Sequence, residues 1–277
     1  MKKLLFILLA MSIALVSCKK TESKDEENTE TPEVLVVKTA QPRNVVLEEF
    51  TGIHCGWCPE GHQVAETINT TYPGRVVLIN IHAGSYAVPS GNEPDFRTQW
   101  GDALVQLAQV TGYPTGTVNR TIYGSNTKLA MSRSDWPGAA QAIINSGNSP
   151  VNIGAKSKWN GDTRTVTVTV QLYYTASETE ANKLNVVFLE NHVFGYQASG
   201  GDNYDHKHIM RDLITGQFGE NITTTSSGTE ITRTYNYVVD ASWNIDNCDI
   251  SVFVTKSDDK TVHTGITIPA KNGTTAI

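Results

Sequence analysis

The chain has 277 residues, of which 22 are lysine or arginine and 28 are aspartate or glutamate, giving a formal charge of −6. This length leaves room for two domains of about 100–200 residues each, and the acidic balance argues against nucleic-acid binding, which needs a basic face. The chain contains only four cysteines, which excludes a disulfide-rich scaffold.

The N-terminus predicts export. Lys2 and Lys3 precede the apolar run LLFILLAMSIALV, which ends at Ser17 and Cys18. A basic start, an apolar core and small residues form a secretory signal, and the core is shorter than the ~20 residues of a membrane span. The Ser17-Cys18 pair resembles a bacterial lipobox, so we expect residues 1–17 to be a lipoprotein signal peptide and Cys18 to carry the lipid. Ordinary cleavage without lipid is the alternative.

Residues 18–33 are rich in charged side chains and lack apolar periodicity. Such a segment buries too little apolar surface to offset the entropy of ordering, and it is predicted to be a disordered acidic tether. Lys19 stands where some bacteria use aspartate to retain lipoproteins at the inner membrane. We therefore predict a lipid anchor in the outer membrane, on its periplasmic face or at the cell surface.

Residues 34–149 alternate between strand and helix patterns. Strands are predicted at 45–50 and 75–83, with helices at 59–72, along Phe96 to Thr111, and before Gly147. A further strand is predicted after Thr115. Such alternation is typical of an α/β domain with parallel strand pairs.

Residues 150–277 contain strand patterns without helices. The dipeptide Asn160-Gly161 predicts a hairpin, and further strands are predicted at 184–190, 231–239, 249–256 and 261–269. Regularly spaced strands of this kind predict an all-β antiparallel sandwich of the immunoglobulin-like type. The Gly-rich stretch 191–222 is predicted to be a long ordered loop whose Ile209, Leu213 and Phe218 pack onto the sandwich.

The cysteines beyond the signal peptide differ in their predicted roles. Cys248 begins a strand pattern, so it is predicted to be a small buried side chain. Cys55 and Cys58 lie between a predicted strand and a predicted helix, where unpaired N–H groups and the helix dipole favour a thiolate. Cys55 is therefore the predicted nucleophile, and Cys58 is close enough to resolve a mixed disulfide.

A metal site is the alternative for the same segment. Cys55, Cys58 and His62, with His54 or His82 as a fourth ligand, would suit zinc or copper(I). Nothing else in the sequence completes a tetrahedral set, so we predict neither a metal nor a cofactor.

Two segments, EEFTGIHCGWCPEGH (48–62) and TGYPTGTV (111–118), resemble the thioredoxin superfamily. The resemblance implies a thioredoxin-like α/β domain over residues 34–149. It also implies a cis bond before Pro114, opposite the cysteines, so that Tyr113, Pro114 and Thr115 would hold an extended substrate.

The same resemblance assigns a role to one of two adjacent acids. It implies that Glu49 faces inward and relays protons to the resolving cysteine, and only one of Glu48 and Glu49 is expected to face inward. An exposed carboxylate at the strand end is the alternative. The chain departs from the superfamily pattern at His54 and Trp57, which are predicted to contact substrate and to influence the direction of electron flow.

The lipobox, the tether, the CGWC motif and the segments VVFLENHVFGYQ and YDHKHIMRDLITGQFGENI together resemble the twenty-eight-kilodalton-outer-membrane-protein-related lipoproteins of Gram-negative bacteria. We interpret the chain as a lipid-anchored oxidoreductase acting on thiols or disulfides of exported proteins. The alternative is a non-enzymatic surface lipoprotein, adhesin-like or antigen-like, whose β domain (150–277) binds an unidentified partner.

Overall fold

Strands dominate the computed structural model, which describes residues 34–276. The predicted signal peptide, the lipidated Cys18 and the acidic tether lie outside the described residues. Within the described part of the chain, no helix is long and apolar enough to cross a membrane.

The first half of the described chain alternates strands and helices, as predicted. Its elements are β1 (Val45–Thr51), α1 (Cys58–Thr71), β2 (Val76–His82), α2 (Gly101–Ala108), β3 (Thr115–Val118), β4 (Met131–Ser132) and α3 (Trp136–Ile144). Strands β1 and β2 are parallel, whereas β3 runs antiparallel to β1. Helix α2 is shorter than predicted: Phe96 precedes it and packs with Ile53 and Ile209, and Gln109 ends it in the left-handed conformation.

The second half is made of strands. They are β5 (Val151–Asn160), β6 (Thr165–Tyr174), β7 (Asn182–Glu190), β8 (Val193–Gln197), β9 (Gly201–His206), β10 (Ile209–Leu213), β11 (Glu220–Ile222), β12 (Glu230–Val238), β13 (Cys248–Lys256), β14 (Val262–Pro269) and β15 (Thr274–Ala276). Asn160 and Gly161 lead into the turn of the β5–β6 hairpin, as predicted. The valines of β6 alternate inward, because one face of the antiparallel sheet β12-β6-β5-β15 packs against β7, β13 and β14.

A single sheet crosses the boundary predicted near residue 150. Its strand order is β14-β13-β7-β10-β2-β1-β3-β4, with β11 paired to β7. Strand β10 is antiparallel to β7 and parallel to β2, where Ile209 pairs with Asn80. The division into domains at 34–149 and 150–277 stays a prediction, since strands from both segments share this sheet.

The prediction that residues 191–222 form a long loop is wrong. The segment folds into the β8–β9 hairpin followed by β10 and β11. Leu213 and Phe218 pack against the cluster built from β1, β2 and α2, rather than against the sandwich core. The glycines of this segment obscured its strands, because they occupy the tight positions of turns and close approaches. Cys248 begins β13 and is buried, as predicted.

Candidate redox site

Cys55 and Cys58 form a disulfide, with their Cα atoms 5.4 Å apart. Cys58 is the first residue of α1, and its backbone N–H donates to the Cys55 carbonyl at 3.2 Å. Pro59 follows in the first turn, where a helix needs no N–H donor. Position 52 requires glycine because the Tyr86 backbone packs closely against it: a Cβ there would lie 2.5 Å from the carbonyl carbon of Tyr86.

The β8–β9 hairpin lies against the turn that carries the cysteines. The Gln197 side chain donates to the carbonyls of Gly52 and Cys55, at 3.2 and 3.0 Å. The Ala198 N–H donates to the Ile53 carbonyl at 2.7 Å. Cys55 is only 3% exposed and Cys58 is fully buried, so the bridge is largely shielded from solvent.

The peptide bond between Tyr113 and Pro114 is cis, as predicted. The Pro114 ring packs on α1, since a Cβ on Gly61 would lie 3.0 Å from the Pro114 Cβ. The Tyr113 ring contacts Tyr86 at 5.7 Å between centroids, and the Thr115 hydroxyl donates to the Met131 carbonyl. The fold therefore brings Pro114 against the helix of the cysteine pair, as the resemblance to the thioredoxin superfamily implied.

Both acids at the end of β1 are buried, so the expectation that only one faces inward is wrong. The sheet has a core on each face: Val46 and Phe50 belong to one, and Val45 and Leu47 to the other. Side chains alternate across a strand, and the two adjacent acids therefore enter different cores.

The two acids have opposite electrostatic environments. Burial alone would raise the pKa of Glu48, but the charge and hydrogen bonds of Arg120 and the Thr117 hydroxyl hold it below the usual value. Glu49 is fully buried, and neither of its carboxylate oxygens has a hydrogen-bond partner among the described residues. Burial raises the pKa of Glu49 well above its ordinary value, because the charged form would lose its hydration there.

His54 and Trp57 differ in exposure and in partners. The His54 imidazole binds Glu93, with Nε2 2.9 Å from the carboxylate, and its ring contacts Tyr196. Trp57 is 68% exposed, and the Arg133 guanidinium lies 5.6 Å from its ring centroid. Trp57 therefore presents an accessible apolar surface between the two cysteines.

Two residues that sequence reasoning did not assign to the redox site lie beside Glu49. The His62 ring is 3.7 Å from the Glu49 carboxylate through Nε2, and its Nδ1 lies 2.8 Å from the Tyr204 hydroxyl. His62 shares a face of α1 with Cys58, four residues earlier, which the sequence could have indicated. Tyr204 lies in β9, and no local pattern connects it with the cysteines.

The structure arranges the candidate metal ligands of this segment differently from a metal site. Disulfide sulfurs are not thiolates and do not bind a metal in that form. Both ring nitrogens of His62 already have partners, the hydroxyls of Thr51 and Tyr204. Across residues 34–276, no three His, Cys, Asp or Glu side chains are grouped to hold a metal ion.

Known structures share this fold. HBP35 of Porphyromonas gingivalis is similar with a TM-score of 0.68 and 20% identity, over 83% of this chain and 76% of that one. A protein from Agrobacterium tumefaciens is similar with a TM-score of 0.55 and 13% identity, over 84% of this chain and 97% of that one. Among curated proteins, none matches the sequence.

A comparison of the sequence with models of known protein families shows the family of this chain. The model of the outer membrane protein Omp28 matches residues 101–266. The match covers more than half of the chain, from α2 to β14, and includes the β8–β9 hairpin, whereas Cys55 and Cys58 lie before the matched residues. It agrees with the predicted envelope location. The chain belongs to the Omp28 family of outer membrane proteins.

Proposed function

We propose that this protein is a lipid-anchored thiol–disulfide oxidoreductase that acts on exported proteins through Cys55 and Cys58. The observation that carries the proposal is the position of the bridge at the N-terminus of α1, where a thiolate is stabilised. Pro114 packs on the same helix, and the protonatable Glu49 lies beside Gly61. This arrangement supports a thioredoxin-like assignment for residues 34–149.

The reaction divides between the two thiols. In the reduced protein, the Cys55 thiolate attacks a client disulfide, forming a mixed disulfide and releasing one client thiolate. Cys58 then gives its proton to the Glu49 carboxylate, and its thiolate attacks the Cys55 sulfur. The Cys55–Cys58 bond forms, the bond to the client breaks, and two electrons have passed to the client. The reverse sequence oxidises a client dithiol.

The surface around Cys55 and Cys58 is the proposed binding site for the substrate protein, here called the client. The exposed Trp57 ring lies between the cysteines, and Tyr113, Pro114 and Thr115 lead into β3. We assign these residues, with His54 at the rim, to the binding of an extended client segment. Cys18 would hold the protein at the outer membrane through its lipid.

Gln197 should control how fast the bridge reacts. We expect Gln197→Ala to accelerate its reduction by dithiothreitol about 5- to 150-fold, because two hydrogen bonds worth about 0.5–1.5 kcal/mol each no longer hold the hairpin on the cysteine turn. Thiol release measured under pseudo-first-order conditions gives the rate. Phe194→Ala, an exposed change in β8, is the matched control. Equal rates in the two variants would show that the hairpin does not restrict access.

A second function is favoured by the shielding of the bridge. A disulfide with Cys55 only 3% exposed suits a structural staple in a non-enzymatic surface lipoprotein that binds a partner through its β domain. The reduction potential separates the two functions. We expect a value above about −300 mV for the oxidoreductase, since structural bridges lie below that value. Equilibration with thioredoxin or dithiothreitol couples measures it, and a lower value would favour the binding protein.

A further inference from the structure

A line of polar side chains leads from Glu49 to the surface of the protein. Glu49 itself is fully buried, with its carboxylate 3.7 Å from His62 Nε2. On the other side of the imidazole, Nδ1 lies 2.8 Å from the hydroxyl of Tyr204. Tyr204 is partly exposed in β9, so the line ends within reach of water.

A cavity of about 200 Å³ opens beside the two outer members of this line. Its lining combines apolar surface, to which Ala65 and Leu78 contribute, with the polar or charged side chains of His62, Glu66, Tyr204, Asp205, Lys207 and His208. A cavity of this size that is open to solvent has room for several water molecules beside the Tyr204 hydroxyl. Protons from bulk solvent can therefore reach the Tyr204 hydroxyl without any movement of the hairpin.

We propose that His62 and Tyr204 carry protons between Glu49 and solvent during thiol–disulfide exchange. The inference rests on the proposed oxidoreductase function and extends it. It makes Tyr204, which the second half of the chain contributes, a proton-transfer residue of a reaction whose thiols come from the first half.

The His62 imidazole is neutral both before and after the proton transfer. As Cys58 gives its proton to Glu49, the carboxyl releases a proton to His62 Nε2 in the same step, so that loss of the Cys58 proton depends on the relay. His62 Nδ1–H passes its proton to the Tyr204 oxygen, and the Tyr204 O–H proton goes to water. The Glu49 carboxylate is restored, and His62 ends as the other neutral tautomer. Burial lowers the pKa of His62 to about 3, so a concerted path avoids a costly imidazolium.

The 3.7 Å gap between Glu49 and His62 is longer than a hydrogen bond, and a shift of the carboxyl by less than ~1 Å closes it. Thr51 keeps the imidazole oriented, since its hydroxyl lies 3.1 Å from Nε2. Gly61 leaves the space for the carboxyl, because a Cβ there would lie 2.5 Å from the Glu49 oxygen.

The simpler explanation is that the His62–Tyr204 hydrogen bond only fastens the hairpin to α1. Tyr204→Phe distinguishes the two, because it removes the hydroxyl and keeps a ring that contacts His62 and His206, at 5.7 and 5.0 Å between centroids. A purely structural bond would alter stability or access. A proton path would alter only the step in which Cys58 loses its proton.

The test is a single-turnover experiment on the reduced protein with glutathione disulfide. Rapid acid quench followed by mass spectrometry separates formation of the mixed disulfide from its resolution by Cys58. Tyr204→Phe should slow resolution at least about tenfold, up to the roughly 100-fold or more that general acid–base catalysis typically contributes, and should leave the bimolecular step unchanged. Resolution in the variant should also show a larger solvent deuterium isotope effect, since proton transfer becomes rate-limiting.

Tyr235→Phe is the matched control, because it removes a hydroxyl bonded to Glu220 at 2.7 Å in another part of the fold. Equal resolution rates in the two variants would overturn the inference while leaving the oxidoreductase function intact. Equal slowing of both steps in Tyr204→Phe would also overturn it, in favour of a structural bond. A wild-type protein that fails to exchange would overturn the function and the inference together.

Discussion

Cys55→Ser should abolish exchange with disulfide substrates, whereas Cys58→Ser should retain the first half of the reaction. A serine hydroxyl forms no bond with sulfur, so no mixed disulfide arises at position 55. In Cys58→Ser the Cys55 thiol still attacks at the helix N-terminus, but the resolving thiol is gone. This variant should therefore accumulate mixed disulfides with its clients.

The pair of variants separates chemistry from stability. Both lose the same bridge, and the chain-entropy relation for so short a loop gives an equal loss of about 2 kcal/mol in each. Turnover of a disulfide substrate, together with mass spectrometry of trapped clients, gives the chemical readout. Trapping by Cys55→Ser and not by Cys58→Ser would reverse the assigned roles, and an absence of trapping by both would favour the binding protein.

Arg120→Met is expected to lower the free energy of unfolding by about 3–5 kcal/mol, the usual cost of leaving a buried charge without its partner. Arg120 and Glu48 are both buried, and two guanidinium nitrogens bind the two carboxylate oxygens at 2.8 and 2.6 Å. In the variant, only the Thr117 hydroxyl still donates to that carboxylate. Urea unfolding followed by circular dichroism measures the change.

The double variant Glu48→Leu/Arg120→Met is the control, because it removes both charges and leaves apolar side chains in their place. Replacement of a buried ion pair by apolar groups is often neutral, so the double variant should recover most of the stability lost in the single one. A single variant within about 1 kcal/mol of the wild type would show that Glu48 takes up a proton or water instead.

Prediction from the sequence succeeded for features whose signal lies within a few neighbouring residues. The CxxC spacing, the Tyr113-Pro114 pair and the alternating valines of β6 each carry their signal within a few residues, and the structure confirms their local geometry. The burial of both Glu48 and Glu49 was missed because it depends on a second core, to which β7, β10 and β13 contribute side chains.

The contacts made by the β8–β9 hairpin could not be predicted in this way. Gln197 and Tyr204 each bond with a residue 142 positions away along the chain. Such contacts depend on the pairing of β10 with β2, and no local pattern specifies a parallel partner so far away in sequence. The glycines around Ser199 further weakened the strand signal.

The sheet shared by both halves has a consequence for how the protein can be divided. Residues 34–149 on their own would leave β2 as an open edge, with the Asn80 backbone and side-chain donors separated from the carbonyls of His208 and Lys207. Open edges recruit strands from other molecules. A fragment cut at the segment boundary is therefore expected to self-associate, because the half that carries the cysteine pair relies on strands from the second half to cover this edge.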